Sequence, residues 1–301
     1  MSFVRKIISE IEKGLRGERF SPLFFIINII ITGFLFGCAF KFIFPHVWEE
    51  QFRASWWSHV ILIAGFSIFC CFAEWTFHRF TLHAAVVPGF KYFNTKHEHH
   101  HRITGWFFTA KGVEVDHYAI IKDVQHESAF FPWYAPAGFL VAVNLIASLL
   151  HFSWWLLGSF LVGSFGWHLP PLAFVLWGNV MALFSLTLYE ILHWAFHLPD
   201  AKWLNGFKNP VWGNSLRRLY FHHKIHHLDS RTNQNVAGVW GVWMLADIVF
   251  KTRVKPEELQ LQTVIRSPLV YKIPPRPRRF VIWLDMFALW VMKKRGVVVC
   301  S

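Results

Sequence analysis

Charged residues are scarce in this chain of 301 residues, and most of the chain is apolar. Asp, Glu, Lys and Arg make up 16% of the sequence, whereas a soluble globular domain carries about 25%. Hydrophobic residues account for 54%, including 33 Phe and 17 Trp. This composition excludes an ordinary soluble surface and favours a polytopic membrane protein whose aromatic side chains lie at the membrane interfaces.

The sequence also lacks a disulfide framework and a cleavable leader. Three of its four cysteines lie in apolar stretches, and Cys70 and Cys71, as neighbours in a helix, point apart. No small-residue cleavage site follows a short apolar core near the N-terminus. We therefore interpret residues 1–22 as an amphipathic segment at the membrane surface, followed by an uncleaved first span.

Basic residues are in excess but form no compact basic domain. The 30 Lys and Arg, against 18 Asp and Glu, are scattered between apolar blocks. Loops that face anionic lipid explain this distribution better than nucleic-acid binding does, so no nucleic-acid partner is expected.

Four apolar stretches are long enough to cross a membrane, which takes about 20 residues. They are residues 23–44, 57–77, 135–165 and 172–192, of which 135–165 form either one tilted helix or a re-entrant pair. Residues 236–250 and 281–292 are shorter apolar helices, and the proline-rich stretch between them is extended. The sequence predicts an all-α integral membrane protein with about four transmembrane helices, a main membrane domain at 23–252 and a C-terminal tail at 253–301.

The distribution of Lys and Arg predicts the sidedness. Residues 151–170 contain none, whereas the N-terminus, 78–133 and 193–235 are rich in them. The positive-inside rule places these three regions on the cytoplasmic face. All the clustered histidines are then expected in a helical cap on the cytoplasmic side.

Twelve of the 18 histidines fall in four short windows that follow or abut predicted spans. The windows are HRFTLH from His78, KHEHHH from Lys96, HWAFH from His193 and HHKIHH from His222. Residues three and four apart share a face of a helix, whereas His78 and His83 are five apart and require the helix to end or loosen. Neutral imidazole binds iron, zinc, copper or nickel. Ten of the twelve histidines have the spacings H-x4-H, H-x2-H-H, H-x3-H and H-x2-H-H. Because a tetrahedral zinc ion takes only four ligands, these ten predict two metal ions.

This arrangement resembles the fatty acid hydroxylase/sterol desaturase superfamily of integral-membrane non-haem di-iron oxygenases. The resemblance covers about residues 57–250 and rests on the order and spacing of the windows in their membrane context. It implies a four-crossing helical body, two Fe ions that activate dioxygen, and a membrane lipid that is hydroxylated or desaturated. Zinc can replace iron on overexpression, because affinity orders do not favour Fe²⁺. The metal ligands that the resemblance implies are His78, His83, His97, His100, His101, His193, His197, His223, His226 and His227.

Electrons are expected from another protein. Some members of this family carry a fused cytochrome b5 with an H-P-G-G haem motif, which this sequence lacks. The resemblance therefore implies an external donor, such as a cytochrome b5-like or ferredoxin-like protein or a reductase. An acidic donor is expected to bind a basic surface formed by Lys202, Lys208, Arg217 and Arg218.

Other polar residues near the windows are predicted to support the ligands. Those expected to accept hydrogen bonds from ligand imidazoles are Glu74, Glu98 and Glu190. His99 and His222 lie outside the ligand pattern and are expected to lie behind the ligands. Two interpretations stay open for Asp116, His117 and His126. They either close over the site or belong to a solvated loop. Asn235 and Asp247 are given no role.

The substrate stays open among acyl chains, sphingolipids, sterols, ether lipids and carotenoids, and two other functions remain. His97-Glu98-x-x-His101 has the H-E-x-x-H pattern of a zinc metalloprotease, in which the glutamate acts as base. That site would leave the other clustered histidines unused. A metal-binding protein without enzymatic activity would need neither a reductant nor a lipid substrate.

Overall fold

The computed structural model describes residues 8, 9, 12, 20–53, 55–108, 114–145, 173–236, 244–255, 259–261, 269–271 and 276–296. Helices dominate these residues. They are α1 (Pro22–Ile43), α2 (Pro45–Arg53), α3 (Trp56–Phe77), α4 (Lys91–Ile103), α5 (Asp123–Ala129), α6 (Ala135–Leu145), α7 (Ala173–Phe196), α8 (Asp200–Phe207), α9 (Gly213–Leu228), α10 (Leu245–Phe250) and α11 (Arg279–Lys294).

Three of the described helices, α1, α3 and α7, are long and apolar enough to cross a membrane. Ser21 caps α1 by accepting a hydrogen bond from the Phe24 amide at 3.3 Å, and Pro22 occupies the first turn, where its missing N–H costs little. The three helices confirm the first, second and last predicted apolar helices. At the predicted 135–165 stretch the structure has α6, and residues 146–172 lie outside the described residues.

The chain divides into two compact units. One is formed mainly by Ser21–Cys70 with Phe131–Leu188, and the other mainly by Cys71–Phe130 with Tyr189–Ser301. All ten predicted metal ligands belong to the second unit. The division into three segments predicted from the sequence stays a prediction.

In the first unit, apolar helices meet through a small residue and a few polar bridges. A side-chain carbon at Gly178 would lie 3.2 Å from the Phe66 ring, so the glycine allows α7 to approach α3 closely. The side chains of Asn144 and Asn179 are joined by an amide hydrogen bond of 2.6 Å. Such bonds satisfy polar groups whose burial in apolar surroundings would otherwise be costly.

In the second unit, α3 passes directly into a π turn, His78–Leu82, and a 3-10 turn, Pro88–Phe90, precedes α4. Trp75 on α3, Ala246 on α10 and Val281 on α11 are buried together and form a core. Partly buried aromatic rings complete it, namely Phe72, Phe80 and Phe250. This core joins three helices that are distant in sequence around the segment that carries the first histidine window.

Strands within the described residues are confined to two short antiparallel ribbons. β1 (Trp106–Phe108) pairs with β2 (Glu114–Asp116), with Trp106 opposite Asp116. β3 (Leu259–Leu261) pairs with β4 (Leu269–Tyr271). The predicted helical fold class is confirmed in outline, and the ribbons are an addition that the sequence did not indicate.

The shorter apolar segments are helical with different bounds. The helix predicted at 281–292 is confirmed as α11 and is longer at both ends. The helix predicted at 236–250 is represented by α10, while residues 237–243 lie outside the described residues. Most of the predicted amphipathic segment 1–22 also lies outside them.

Candidate metal centre

The π turn brings the first two histidines onto one side of the chain. The His83 amide donates to the His78 carbonyl at 3.0 Å, a bond that spans five residues. A π-helical turn contains more residues than an α-helical turn, so side chains five apart can face the same way. The two imidazole centroids lie 5.1 Å apart. The predicted loosening of the helix between these residues is therefore a single π turn.

Helical spacing brings the other windows together. His97, His100 and His101 lie on successive turns of α4, and α9 presents His223, His226 and His227 in the same pattern. His193 lies in the last turn of α7, and His197 follows directly after that helix. All of these side chains except that of His101 are buried.

The side chains form two groups of imidazoles, in each of which one ligand atom per residue lies within 4.8 Å of all the others. The first group contains His78, His83, His97, His101 and His226. In this group, His97 Nε2 lies 3.0 Å from His78 Nε2 and 3.2 Å from His101 Nε2. His83 Nε2 lies 3.0 Å from both His97 Nε2 and His226 Nε2.

The second group contains His100, His193, His197 and His227. His193 Nε2 lies 3.2 Å from His100 Nε2. The tenth predicted ligand, His223, is not within 4.8 Å of every member of this group. Its Nε2 nevertheless lies 3.3 Å from His197 Nε2. Nine of the ten predicted positions thus fall into two groups, and the tenth lies beside the second.

Backbone carbonyls fix the tautomer of several of these rings. The Nδ1–H groups of His78, His197 and His226 donate to the carbonyls of Gln234, Tyr118 and Thr232 at 2.6, 2.6 and 2.8 Å. A carbonyl oxygen only accepts, so each Nδ1 carries the proton. Each Nε2 is then left with a lone pair, which is the form of imidazole that binds a metal.

A threonine fixes His227 in the same way. The Thr104 hydroxyl donates its one proton to the His100 carbonyl at 2.6 Å. It therefore accepts from His227 Nδ1–H, which lies 3.2 Å away. The buried His227 Nε2 has no hydrogen-bond partner among the described residues, and its lone pair is directed into the second group.

The imidazoles outside the apolar helices are held neutral. The pKa of His197 is lowered to about 3, because burial disfavours the charged ring more than its bond to the Tyr118 carbonyl favours it. Burial, and after it the mutual repulsion of charged rings, also lowers the pKa of the neighbouring imidazoles well below the ordinary value. These imidazoles belong to His83, His97, His100, His101, His223 and His227.

This donor set fits metal ions. A metal bound by imidazoles at about 2.0–2.1 Å separates neighbouring nitrogens by about 3.0 Å at a right angle and about 3.4 Å at the tetrahedral angle. The Nε2–Nε2 separations of 3.0–3.3 Å match this range. In each group at least two fixed lone pairs face the same buried point, an arrangement that a metal cation bound between them would stabilise.

A buried polar loop, Thr232–Asn235, supports both the first group and α9. All four of its side chains are at most 1% exposed. Besides the two carbonyl contacts to His78 and His226, the Asn233 side chain donates to the carbonyls of His222 and Val254 at 3.0 and 3.1 Å. Asn233 has φ of 52°, a left-handed conformation that asparagine adopts more readily than most residues.

Asp247 holds this loop in place, although no role was predicted for it from the sequence. Its carboxylate accepts from the amides of Gln234 and Asn235 at 3.0 and 2.8 Å and from Trp75 Nε1–H at 3.1 Å. Burial alone would raise the pKa of Asp247. The nearby His222, 3.6 Å away, together with the hydrogen-bond donors outweighs burial, so the pKa is lowered. The signal in the sequence was a carboxylate inside an otherwise apolar stretch.

Glu74 also supports the loop. Its carboxylate accepts from the Asn235 side chain at 2.7 Å and from the Val236 amide at 2.5 Å. Through these bonds it holds the segment whose Gln234 carbonyl orients His78. Glu74 is therefore linked indirectly to the predicted ligand His78. Asn235, for which no role was predicted, is part of the same link.

Asp116, predicted to lie near the site, forms an ion pair with Lys224. Lys224 is buried, and its ammonium lies 4.9 Å from the Trp106 ring centroid and 5.5 Å from that of Tyr118. The Tyr118 amide donates to Asp116 Oδ1 at 3.0 Å. This arrangement fixes the residue whose carbonyl accepts from His197.

The other predicted supporting residues lie in different positions. Glu98 is exposed and its hydrogen bond comes from Asn94 at 3.4 Å, and His99 bonds with the exposed Arg102 at 2.8 Å. Both therefore face away from the clustered rings. Glu190 and His222 are buried, as is His126, whereas His117 is exposed.

Comparisons with protein-family models, with curated proteins and with solved structures find no match to this chain. The resemblance to the di-iron oxygenases thus rests on the histidine windows and their membrane context alone. The geometry of the two histidine groups is the ground for assigning a function.

Proposed function

We propose that this protein is a membrane-bound oxygenase that holds two metal ions, iron in its active form, and oxidises a C–H bond of a lipid. The observation that carries the proposal is the pair of adjacent imidazole groups, with ring nitrogens fixed by backbone carbonyls and lone pairs directed inwards. A surface site that binds metal incidentally has no need of this buried second layer of hydrogen bonds.

The chain's own residues bind the ions, orient the rings and exclude water. The first group would hold one ion and the second group, with His223 beside it, the other. Iron held by imidazoles supplies electron transfer and activation of dioxygen. The loop Thr232–Asn235, whose side chains are at most 1% exposed, excludes water from the side of the first group that carries His78 and His226.

A lipid substrate is favoured by the helices that carry the site. α3, one of the helices long and apolar enough to cross a membrane, continues into the π turn that bears His78 and His83. The histidine cluster is therefore tethered to a bilayer by chain connectivity. An acyl chain or another apolar lipid is the substrate class within reach of such a tether.

An external electron donor is part of the proposal. The described residues include four exposed basic side chains on α8, directly after it and on α9, namely Lys202, Lys208, Arg217 and Arg218. Opposite charge on a small electron-transfer protein would steer it to these side chains and speed association. We place these side chains, and the histidine cluster with them, on the cytoplasmic side.

The environment of Glu98 favours the oxygenase over the protease. A metalloprotease base must lie within hydrogen-bond reach of the metal-bound water, whereas Glu98 is exposed and bonded to Asn94. His97 and His101 also share their group with three further imidazoles. Glu98→Gln is therefore expected to leave activity unchanged, and loss of all activity in this variant would favour the protease.

The experiment that tests the proposal is isotope incorporation by the full-length protein in lipid vesicles with a reductase system. A hydroxylated lipid should carry label from ¹⁸O₂ and none from H₂¹⁸O. A new double bond without label would assign desaturation to the same site. Label from water would indicate hydrolysis, and iron-loaded protein that leaves every lipid unchanged would indicate a metal-binding protein without activity.

A further inference from the structure

Helix α11 has a large exposed apolar face that the proposed reaction does not use. Six large apolar side chains on it are between 47% and 57% exposed, namely Phe280, Trp283, Met286, Phe287, Leu289 and Trp290. Positions 280, 283, 287 and 290 recur at intervals of three and four, so they form one stripe along the helix. A soluble protein rarely leaves so large an apolar surface uncovered.

The opposite face of α11 is fixed to the unit that contains the histidines. Val281, Ala288 and Met292 are buried. The Asp285 carboxylate accepts two hydrogen bonds from the Arg79 guanidinium, from Nε at 2.8 Å and from Nη2 at 2.7 Å. A bidentate pair of this kind is geometrically specific, so α11 has a fixed orientation and its apolar stripe points outwards.

The ends of α11 are basic. Arg278 and Arg279 precede the stripe, and Lys293, Lys294 and Arg295 follow it; all five are exposed. At 16 residues the helix is about 24 Å long, which is shorter than the hydrocarbon core of about 30 Å. A short helix with aromatic residues on one face and cations at both ends is suited to lie along a membrane surface.

We infer that α11 lies in the interface of the bilayer, with its aromatic stripe among the upper acyl chains and its terminal cations on anionic headgroups. The inference is independent of the proposed reaction. Among the described helices, α3 is long and apolar enough to cross a membrane, and its Trp75 packs with Val281 of α11, so α11 lies beside the end of such a helix. The charges at both ends complement lipid phosphates, whereas a second copy of this cationic helix would be repelled.

The helix is also joined to the segment that carries the first histidine window. Arg79 lies in the π turn between His78 and His83, and Arg295 Nη1 donates to the carbonyls of Ala85 and Val86 at 2.6 and 2.9 Å. The middle of α11, through Asp285, and its C-terminal end, through Arg295, thus contact the chain around these histidines. Contact of α11 with lipid would hold this segment at a fixed level relative to the membrane surface.

Site-directed fluorescence on the full-length protein tests the inference. A bimane label is placed on Phe287→Cys after the four native cysteines are replaced by alanine, which adds no polar group at the buried Cys71. The protein is reconstituted in phosphatidylcholine and phosphatidylglycerol vesicles. The matched control carries the label on Thr95→Cys, at an exposed polar position of α4. Both substitutions change exposed side chains, so the fold is expected to survive.

Lipids brominated in their acyl chains should quench the label at 287 more strongly than aqueous iodide does, and the order should reverse at 95. Equal behaviour at the two positions, with iodide quenching both, would overturn the inference because the stripe would then face water. Shielding of the label at 287 from iodide without any quenching by brominated lipid would also overturn it and would indicate a protein partner or a second copy.

Discussion

Lys224 and Asp116 form an ion pair in which the lysine is enclosed by aromatic rings and the carboxylate remains a third exposed. Lys224 lies between ligand-bearing turns of α9, and Asp116 ends the ribbon strand β2. The pair therefore ties α9 to the segment whose Tyr118 carbonyl orients His197. A charge inside the histidine-rich window HHKIHH thus serves the geometry of a neighbouring ligand.

Replacing Lys224 with methionine should destabilise the protein and loosen His197. Loss of one partner leaves the other charge uncompensated, and because Asp116 is partly solvated we expect a cost of about 1–3 kcal/mol rather than the larger cost of a fully buried pair. The melting temperature in detergent and the metal content measure these effects. Lys202→Met, at an exposed position of α8, is the control and should change stability by less than about 0.5 kcal/mol.

Neighbouring histidines on α4 should behave differently. His100 is fully buried in the second group, whereas His99 bonds with the exposed Arg102. His100→Ala should remove activity and lower the metal content by about one ion per chain, since one group loses a ligand. His99→Ala should retain both. Elemental analysis of the purified variants distinguishes them, and equal losses would mean that the histidines act through folding alone.

Asp247→Asn should weaken the loop that orients the first group. The substitution keeps the shape but places an amide N–H₂ where donors from Trp75, Gln234 and Asn235 now point. We expect a loss of about 2–4 kcal/mol in the free energy of unfolding. Denaturant unfolding measures it. Glu49→Gln, whose side chain is 64% exposed, should have almost no effect, and a similar loss in both variants would remove the special role of Asp247.

The stability of the metal-free protein should fall on acidification. An unfolded histidine titrates near 6.5, whereas the pKa of folded His197 is about 3. Between these values the unfolded chain binds more protons than the folded one, so the free energy of unfolding decreases as the pH falls below about 6.5. Melting temperatures recorded from neutral pH downwards measure this trend. A flat profile would mean that the histidines take up protons equally in the folded and unfolded states.

Sidedness can be tested by cysteine labelling in intact cells. A cysteine at Arg218 or Lys202 should react with a membrane-impermeant reagent only after the membrane is opened, because the basic regions are predicted to be cytoplasmic. A cysteine placed within 151–170 is expected to react from outside. The reverse pattern would place the histidine cluster on the external face.

The sequence predicted that the histidines of each window lie together, because helical spacing depends only on residue number. The intervals in α4 and α9 place His97 with His101 and His223 with His227 whatever the rest of the chain does. The grouping itself was harder to predict. His97 and His101 join one group while His100, on the same helix, joins the other, and this split depends on how α7 and α9 pack.

The hydrogen bonds that orient the rings were not predictable from residue identity. The acceptors for His78 and His197 are backbone carbonyls 156 and 79 residues away in sequence, and every residue has such a group. Glu98 was expected to accept from an imidazole because it lies within a window, but its position on α4 turns it outwards. The role of Asp247 was not predicted because its hydrogen-bond donors, on Trp75, Gln234 and Asn235, come next to it only in the folded chain.

Because His78–Leu82 form a π turn, the number of residues in this segment determines how α3 is rotated relative to the chain that follows. In a regular α-helix, residues five apart would be separated by about 140° around the axis. Deleting one residue within the turn would restore an ordinary helix but rotate α3 by about 100° relative to the chain that follows. That rotation would carry Trp75 away from Asp247, although neither residue had been changed. The number of residues in the turn therefore sets the rotation of α3 relative to the histidine segment, separately from the contacts that its side chains make.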